Sequence, residues 1–141
     1  MSANVKHLTS IVVLNYNAGD LLLNCIESVY KTQTHKFEVI VVDNISTDSS
    51  HKKCKEKFPQ IRLIENKENL GYCEGNNVGI RNANGEFIVI LNPDTKVESN
   101  WLEELFNAYE KFGDGLYQPK IIAFEDNLFE SGGNMLQMFG F

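Results

Sequence analysis

The sequence predicts an α/β fold in which a mostly parallel sheet is flanked by helices. Short apolar runs rich in β-branched residues alternate with segments whose apolar residues recur at helical spacing. Polar residues follow three of the apolar runs directly, which is typical of loops at the carboxyl ends of parallel strands. The length of 141 residues suits one domain, so we assign residues 1–141 to a single domain or part of one.

In the first half of the chain, continuous apolar runs predict buried strands and amphipathic spacing predicts a helix. The segment 46–48 offers N-cap side chains for a second, charged helix, and Pro59 stops that helix. In chain order we predict a strand at 10–14, a helix from 21 to about 32, a strand at 37–42, a helix ending near 58 and a strand at 61–64.

In the second half, Asn84 and Gly85 form a turn between a glycine-punctuated helix and the next apolar run. Ser99 is a good N-cap residue for a further helix, which glycines at 113 and 115 close. In chain order we predict a helix at about 72–82, a buried strand at 87–91, a helix at about 99–112, and strands at 116–124 and 128–135.

The simplest parallel topology places the first strand centrally, the second and third on one side and the fourth on the other. Strand order then reverses between the first and fourth strands, and open α/β sheets bind ligands at such a point. This arrangement brings residues 15–17 close to residues 92–94, with Asp43 on the same rim. We therefore expect a ligand crevice formed by the ends of three strands.

Composition excludes several classes of protein. The net charge of −6 and a pI near 5.0 argue against a general nucleic-acid binder, because no basic stripe is present to neutralise phosphates. Cys25, Cys54 and Cys73 are odd in number and lack zinc spacing, so we interpret them as reduced thiols in packing or surface positions. No apolar run approaches the roughly 20 residues of a membrane span. We expect a cytoplasmic protein, and peripheral association with the inner face of the membrane stays compatible with this composition.

Two common phosphate-binding motifs and a serine-hydrolase site are absent. There is no Gly-Lys-Ser/Thr sequence, and Asn-Tyr-Asn-Ala-Gly follows the first strand where a dinucleotide site would have G-x-G-x-x-G. The serines lack a nucleophile-elbow setting. His7, His35 and His51 lie in polar contexts, and we interpret all three as solvated surface residues.

Asp94 is the strongest candidate for a metal ligand. Pro93 cannot donate to a sheet ladder, so the fourth strand must end before it and Asp94 lies at its carboxyl end. Carboxylates at 43 and 94 would repel a diphosphate, by about 4 kcal/mol for unit charges about 4 Å apart at an effective dielectric near 20. A diphosphate would therefore need a hard cation, and Mg²⁺ or Mn²⁺ on Asp94 suits that role. Asp43 either caps the following turn or accepts hydrogen bonds from a nucleobase or ribose.

Residues 69–79 form the second candidate segment. Glycines at 71, 75 and 79 would share one helix face and permit close approach of the backbone to the sheet or to a ligand. Simple helix–sheet packing explains this spacing as well as a nucleotide-contacting helix start, in which Asn69 and Gly71 lie near the ligand. Two interpretations also stay open for Tyr16: it stacks on a base, or it is a half-buried aromatic residue after a strand.

These pieces together resemble family-2 glycosyltransferases of the GT-A (Rossmann-like) fold, especially the rhamnosyltransferase-like branch. Each piece alone is a weak signal, but their order and spacing over essentially the whole chain make the resemblance strong. The matching pieces are Ser-Ile-Val-Val-Leu-Asn-Tyr-Asn at 10–17, Glu-Val-Ile-Val-Val-Asp-Asn-Ile-Ser-Thr-Asp at 38–48, Asn-Leu-Gly-Tyr at 69–72, Gly-Asn-Asn-Val-Gly-Ile at 75–80, Leu-Asn-Pro-Asp-Thr at 91–95 and Ser-Gly-Gly at 131–133.

The resemblance implies transfer of a sugar from a UDP-, GDP- or dTDP-linked donor to an acceptor glycan or lipid-linked saccharide, with inversion and with Mn²⁺ or Mg²⁺ as cofactor. It implies that residues 92–94 take the place of the family's Asp-x-Asp metal motif, and that the aspartate at 43 binds the base or ribose. Surface polysaccharide or cell-wall assembly is the family expectation. The nucleotide-binding residues so predicted are Asn15, Tyr16, Asn17, Asp43, Asn69, Gly71, Asn76 and Asn92, and the metal ligand is Asp94.

The resemblance also implies that the catalytic base lies beyond residue 141. Glu125 and Asp126 form an acidic pair, but they come too early in the chain for that base. We therefore expect a truncated domain that holds the donor half without the acceptor half, binds nucleotide and metal, and transfers sugar poorly. Apolar surface left uncovered would favour self-association. Two other hypotheses stay open: a non-catalytic nucleotide-binding or assembly module, and a nucleotidyltransferase, although the basic glycine-rich loop expected of the latter is missing.

Overall fold

A computed structural model describes residues 7–33, 35–123 and 129–131, the last three by their backbone alone. The chain divides into two compact units, residues 1–103 and residues 104–141. The elements of the first unit are β1 (Leu8–Asn15), α1 (Asp20–Tyr30), β2 (Lys36–Asp43), α2 (Ser50–Lys57), β3 (Arg62–Glu65), α3 (Gly71–Arg81) and β4 (Phe87–Leu91). Helix α4 (Trp101–Phe112) begins in the first unit, and β5 (Ile121–Ile122) pairs antiparallel with β6 (Phe129–Ser131) in the second.

The four strands of the first unit form one parallel sheet in the order β3-β2-β1-β4, which confirms the predicted topology. The central strands β1 and β2 are covered on both faces, because their apolar residues at 11–13 and 39–42 are almost completely buried. Asn15 pairs with Asp43 in the β1–β2 register, and Asp43 pairs with Glu65 in the β2–β3 register. The carboxyl ends of three strands therefore meet at one edge of the sheet.

Helix α3 packs against β1 and β2 through its glycines. A Cβ atom at Gly79 would lie 2.3 Å from Cγ1 of Val12, and one at Gly75 would lie 2.5 Å from Cδ1 of Leu14. Real Cβ atoms do not approach neighbours this closely, so only glycine lets the helix backbone reach the sheet. Of the two readings of the glycine spacing, helix–sheet packing is therefore the one that holds at 75 and 79. Gly71 differs, because it starts the helix with a φ of 72°.

Gly79→Ala is expected to destabilise the first unit by about 1–2 kcal/mol. The new methyl group would overlap fully buried Val12, and overpacking costs about 1–3 kcal/mol, offset by about 1 kcal/mol of helix propensity. Urea unfolding followed by circular dichroism measures the difference. The matched control is Asn77→Ala on the exposed face of the same helix, which gains propensity without overlap. Equal stability of the two variants would show that α3 can move away from the sheet at no cost.

Three sequence predictions need correction. The fourth strand was predicted to be buried, but β4 has only one strand partner among the described residues, and Ile88 and Ile90 are 40% and 47% exposed. The fifth strand was predicted at 116–124, but residues 116–120 are not strand and, of the described residues in that range, only Ile121–Ile122 pair. Leu116 is 98% exposed, so its apolar side chain is not buried as a core strand would require. Helix α4 begins at Trp101, two residues after the predicted cap.

The start of α4 is tied to the end of α1. Nε1 of Trp101 donates to Oγ1 of Thr32 at 2.8 Å, and the backbone N–H of Gln33 donates to the carbonyl of Ser99 at 3.3 Å. Over the part of the chain that the structure describes, no helix is both long enough and apolar enough to cross a membrane. The predicted strand at 128–135 is seen only as Phe129–Ser131, and its remainder lies outside the described residues.

Candidate functional site

A cleft of about 530 Å³ opens at the carboxyl edge of the sheet, between the ends of β1 and β4 and the starts of α1 and α3. This is the position that the predicted topology indicated, where the strand order reverses. Most of the residues that line it are apolar, aromatic or amide-bearing, and only one carries a charge. The lining residues are Leu14, Tyr16, Leu21, Asn44, Asn69, Gly71, Tyr72, Asn92, Pro93 and Asp94.

The charged residue of the cleft is Asp94, which sits on a tight turn. The backbone N–H of Thr95 donates to the carbonyl of Asn92 at 3.1 Å, so residues 92–95 form a turn with Pro93 in its second position. Proline favours that position because its φ is already set for the turn. The Asp94 side chain is exposed on the cleft surface.

Helix α1 anchors this turn from below. The thiol of Cys25 donates to the carbonyl of Asn92 at 3.6 Å, and the backbone N–H of Val97 donates to Oγ of Ser28 at 3.1 Å. Burial raises the pKa of the Cys25 thiol to about 12, with the nearby Cys54 and Asp94 adding to the effect. The sulfur therefore keeps its proton at neutral pH and remains a hydrogen-bond donor. The thiol has a structural role, as the sequence predicted for the cysteines.

The donor set at the end of β4 fits a magnesium-like ion only together with ligand oxygens. The described residues contain no group of three or more histidine, cysteine or acidic side chains that could hold a metal by themselves. One carboxylate, Asp94, and one amide, Asn92, lie at the cleft. Mg²⁺ is commonly bound by one or two carboxylates plus substrate phosphates, so this sparse set is compatible with a metal that arrives with a phosphate ligand.

Asp43 and Asn15 lie beneath the cleft surface. The exposed fraction of Asp43 is 2% and that of Asn15 is 0%. Nδ2 of Asn15 donates to Oδ1 of Asp43 at 2.8 Å and is within hydrogen-bond distance of Oγ of Ser46 and Ser50. The backbone N–H of Ser46 donates to Oδ2 of Asp43 at 2.9 Å. In this arrangement both carboxylate oxygens are already engaged inside the protein, as in the capping interpretation of Asp43.

The loop after β1 is held by the loop after β2. The backbone N–H of Thr47 donates to Oδ1 of Asn17 at 2.7 Å, and the backbone N–H of Asn17 donates to Oγ of Ser46 at 2.9 Å. The Gly19 N–H donates to Oδ2 of Asp48 at 2.9 Å. Burial opposes ionisation of Asp48, yet hydrogen bonds donated by Ser50 and Gly19 hold the pKa of that carboxyl below its usual value. These contacts fix the loop that carries Tyr16.

Asn44 lines the cleft although the sequence analysis did not select it. Its Nδ2 donates to the carbonyl of Gly71 at 3.1 Å, and its Oδ1 accepts from Nδ2 of Asn66 at 2.8 Å. Oδ1 of Asn69 accepts from the Gly71 N–H at 2.9 Å, so the start of α3 is fixed from both sides. The sequence signal for Asn44 was its position directly after Asp43, at the end of β2. Successive side chains point in different directions there, so Asn44 can reach the cleft where Asp43 does not.

Two tyrosines flank the cleft. Tyr16 and Tyr72 both line it and are 55% and 58% exposed, so each presents an aromatic face to a ligand. The hydroxyl of Tyr72 donates to Oδ1 of Asn92 at 3.1 Å, which links the start of α3 to the turn after β4. Asn76 lies deeper, because it is buried and its Nδ2 donates to the Tyr72 carbonyl at 2.9 Å.

The histidine prediction was wrong at His51, and it does not hold at His35, whose two ring nitrogens are buried. His51 is only 4% exposed and lies between Asp43 and Glu65, the last residues of β2 and β3. Its burial depends on a neighbouring strand, which no local sequence pattern reveals. His7, by contrast, is at the surface and pairs with Glu86. The acidic pair at 125–126 lies outside the described residues.

The sequence of this chain is similar to a known protein family and to several named relatives. The sequence model described as Glycosyl transferase family 2 matches residues 10–139. Glycosyltransferase GlyG from Streptococcus pneumoniae is 34% identical over 134 residues, which cover 92% of this chain and 43% of that protein. Teichoic acid poly(glycerol phosphate) polymerase from Staphylococcus epidermidis is 30% identical over 118 residues, covering 78% of this chain and 16% of that protein. The chain thus spans less than half of the relatives that it matches.

Solved structures have a similar fold. S. aureus TarS in complex with UDP-GlcNAc matches with a TM-score of 0.67 and 21% identity, covering 81% of this chain and 40% of that one. Mannosyltransferase PcManGT from Pyrobaculum calidifontis, in complex with GDP-Man and Mn²⁺, matches with a TM-score of 0.65 and 27% identity, covering 79% of this chain and 34% of that one.

Proposed function

Because this chain belongs to glycosyl transferase family 2 and has the GT-A fold, we propose that it binds the nucleoside diphosphate of a sugar donor in the cleft at the end of β1 and β4. The observation that carries the proposal is the character of that cleft. It joins two exposed tyrosines to a single carboxylate, Asp94, at the point where the strand order reverses. Aromatic faces suit a base and a lone carboxylate suits a metal–diphosphate.

The diphosphate end of the donor lies at Asp94 in this proposal. No basic residue lines the cleft among the described residues, so protein side chains there offer no positive charge to phosphates. Asp94 and the Asn92 side chain would hold Mn²⁺ or Mg²⁺, which when bound neutralises charge on the diphosphate and assists its departure as leaving group. The Mn²⁺ complex of the related mannosyltransferase supports this choice of cofactor.

The nucleoside end lies between Tyr16 and Tyr72. Stacking of a base on an aromatic ring is worth about 1–3 kcal/mol and tolerates different bases. The amide group of exposed Asn69 borders the same cleft and offers a hydrogen-bond partner for a base edge or a ribose hydroxyl. Asp43 and Asn15 act from below, because their hydrogen bonds hold the loop that carries Tyr16 in place.

We propose that this chain contributes donor binding to an overall transfer reaction. The reaction is transfer of the donor sugar, with inversion, to an acceptor glycan or lipid-linked saccharide. Relatives named for teichoic acid and teichuronic acid biosynthesis support an acceptor of the cell-surface glycan class. The role of this chain within the reaction is to bind and orient the donor.

Isothermal calorimetry with UDP, GDP and dTDP, each with and without Mn²⁺, tests the proposal. We expect one nucleotide to bind in the micromolar to millimolar range and to bind at least about tenfold more tightly with Mn²⁺, which corresponds to about 1.4 kcal/mol. EDTA provides the control, because it should return the affinity to the metal-free value. Absence of binding by all three nucleotides in both metal states would contradict donor binding. Metal-independent binding would contradict only the role of the cation.

A further inference from the structure

His51 lies in an unusual position for a residue outside the cleft. It belongs to α2, is 4% exposed, and reaches the carboxyl ends of two strands at once. Its Nδ1 lies 3.4 Å from Oδ1 of Asp43, and its Nε2 lies 3.3 Å from Oε1 of Glu65. Among the described residues, Nδ1 has an acceptor within ion-pair distance but no aligned hydrogen bond.

Both ring nitrogens of His51 face carboxylates. The acidic groups around the ring are Asp43 on β2, Glu65 on β3 and Asp48 in the loop before α2. These contacts place the ring between the carboxyl ends of two neighbouring strands.

The network beyond Asp43 reaches the cleft in two steps. The oxygen of Asp43 that faces His51 also accepts from Asn15, at the end of β1. The other oxygen accepts from the Ser46 N–H, and Ser46 in turn accepts from the backbone of Asn17, next to Tyr16. A change at His51 can therefore move the loop that forms one wall of the cleft without any contact between His51 and the ligand.

We propose that His51 is a positioning residue of the donor pocket, which lies between Asp43 and Glu65 and so holds the Tyr16 loop in its binding conformation. This inference rests on the proposed donor binding. Replacement of His51 then weakens nucleotide affinity, because Asp43 loses one of the groups that orient it.

The first test compares nucleotide affinity in the wild type, His51→Gln and the control His7→Gln. The probe is whichever of UDP, GDP and dTDP the wild type binds most tightly, measured by calorimetry with Mn²⁺ at a single pH. We expect His51→Gln to bind about fivefold more weakly than the wild type, a typical coupling between linked sites. His7→Gln should match the wild type.

The second test needs no nucleotide and uses Glu65→Gln, which removes one partner at a half-exposed position and leaves the core intact. Glu65 and His51 contact each other, so each substitution removes the same interaction. We expect Glu65→Gln and His51→Gln each to lower the urea midpoint, and the double variant to lose less than the sum of the two. This variant also covers the case in which His51→Gln fails to fold.

The two tests separate two kinds of failure. A wild type that binds no nucleotide, with the expected less-than-additive loss of stability, would overturn donor binding while leaving the link of His51 to the two strands in place. A wild type that binds nucleotide, with an equal affinity in His51→Gln, would overturn the positioning role alone. Fully additive losses of stability would overturn the contact between His51 and Glu65.

Discussion

Asp94→Asn is expected to abolish the Mn²⁺-dependent part of nucleotide binding. The substitution keeps the shape of the turn at 92–95 but removes the charge on the cleft lining. Unit charges about 4 Å apart at an effective dielectric near 20 interact by about 4 kcal/mol. We expect the affinity in the presence of Mn²⁺ to fall by at least about tenfold, or about 1.4 kcal/mol, to the metal-free value, measured by calorimetry.

The control for this substitution is Glu98→Gln, which removes the same charge from an exposed position that does not line the cleft. Its affinity should stay within about twofold of the wild type, because a solvent-exposed charge outside the cleft interacts weakly with other groups. Stability of Asp94→Asn should change by less than about 0.5 kcal/mol, as is usual for surface positions. Retention of a full Mn²⁺ effect in Asp94→Asn would remove this residue from the metal site.

Asp43→Ala is expected to show the opposite pattern, with a large loss of stability. The substitution leaves the Ser46 N–H without its acceptor and removes an oxygen that both Asn15 and His51 face. Buried donors that lose a partner cost about 1–3 kcal/mol each, and both the Ser46 N–H and Nδ2 of Asn15 lose an acceptor here. We expect a loss of about 3 kcal/mol in the free energy of unfolding, measured in urea.

Asp43→Asn serves as the matched variant, because it retains one oxygen of the same shape and should lose less. If the fold survives, nucleotide affinity of Asp43→Asn should fall through movement of the Tyr16 loop. A nuclear magnetic resonance spectrum that shows changes confined to the cleft surface, with stability equal to the wild type, would contradict the buried role. It would instead favour direct contact between Asp43 and the nucleotide.

The fold was predictable from the chain because its signals are local. The β-branched runs of β1 and β2 and the helical spacing in α1 depend on neighbours only a few residues away. The strand order followed from the rules of right-handed parallel connections. Edge strands were predicted less well. Strand β4 has the composition of a buried strand, but its exposure depends on what lies beside it, which its own residues do not encode.

The candidate site was predictable to the level of its location and not to the level of its contacts. Asp94, Asn92 and Tyr16 line the cleft as the strand-end pattern indicated. Asn15 and Asp43 sit at the same edge but turn inward, because hydrogen bonds with Ser46 and Ser50 leave them almost no exposed surface. Asn44 and Tyr72 line the cleft and were not chosen, since a residue type by itself does not reveal the direction of a side chain.

The residue pattern therefore established an α/β sheet, its strand order and a carboxylate beyond a strand-ending proline. Hydrophobic periodicity and the backbone limits of proline act within a few residues, so they can be read along the chain. Tertiary packing decided which polar groups form the cleft and which form the network beneath it. Neighbouring residues at a strand end point in different directions, and the burial of His51 requires β2 and β3 to lie side by side.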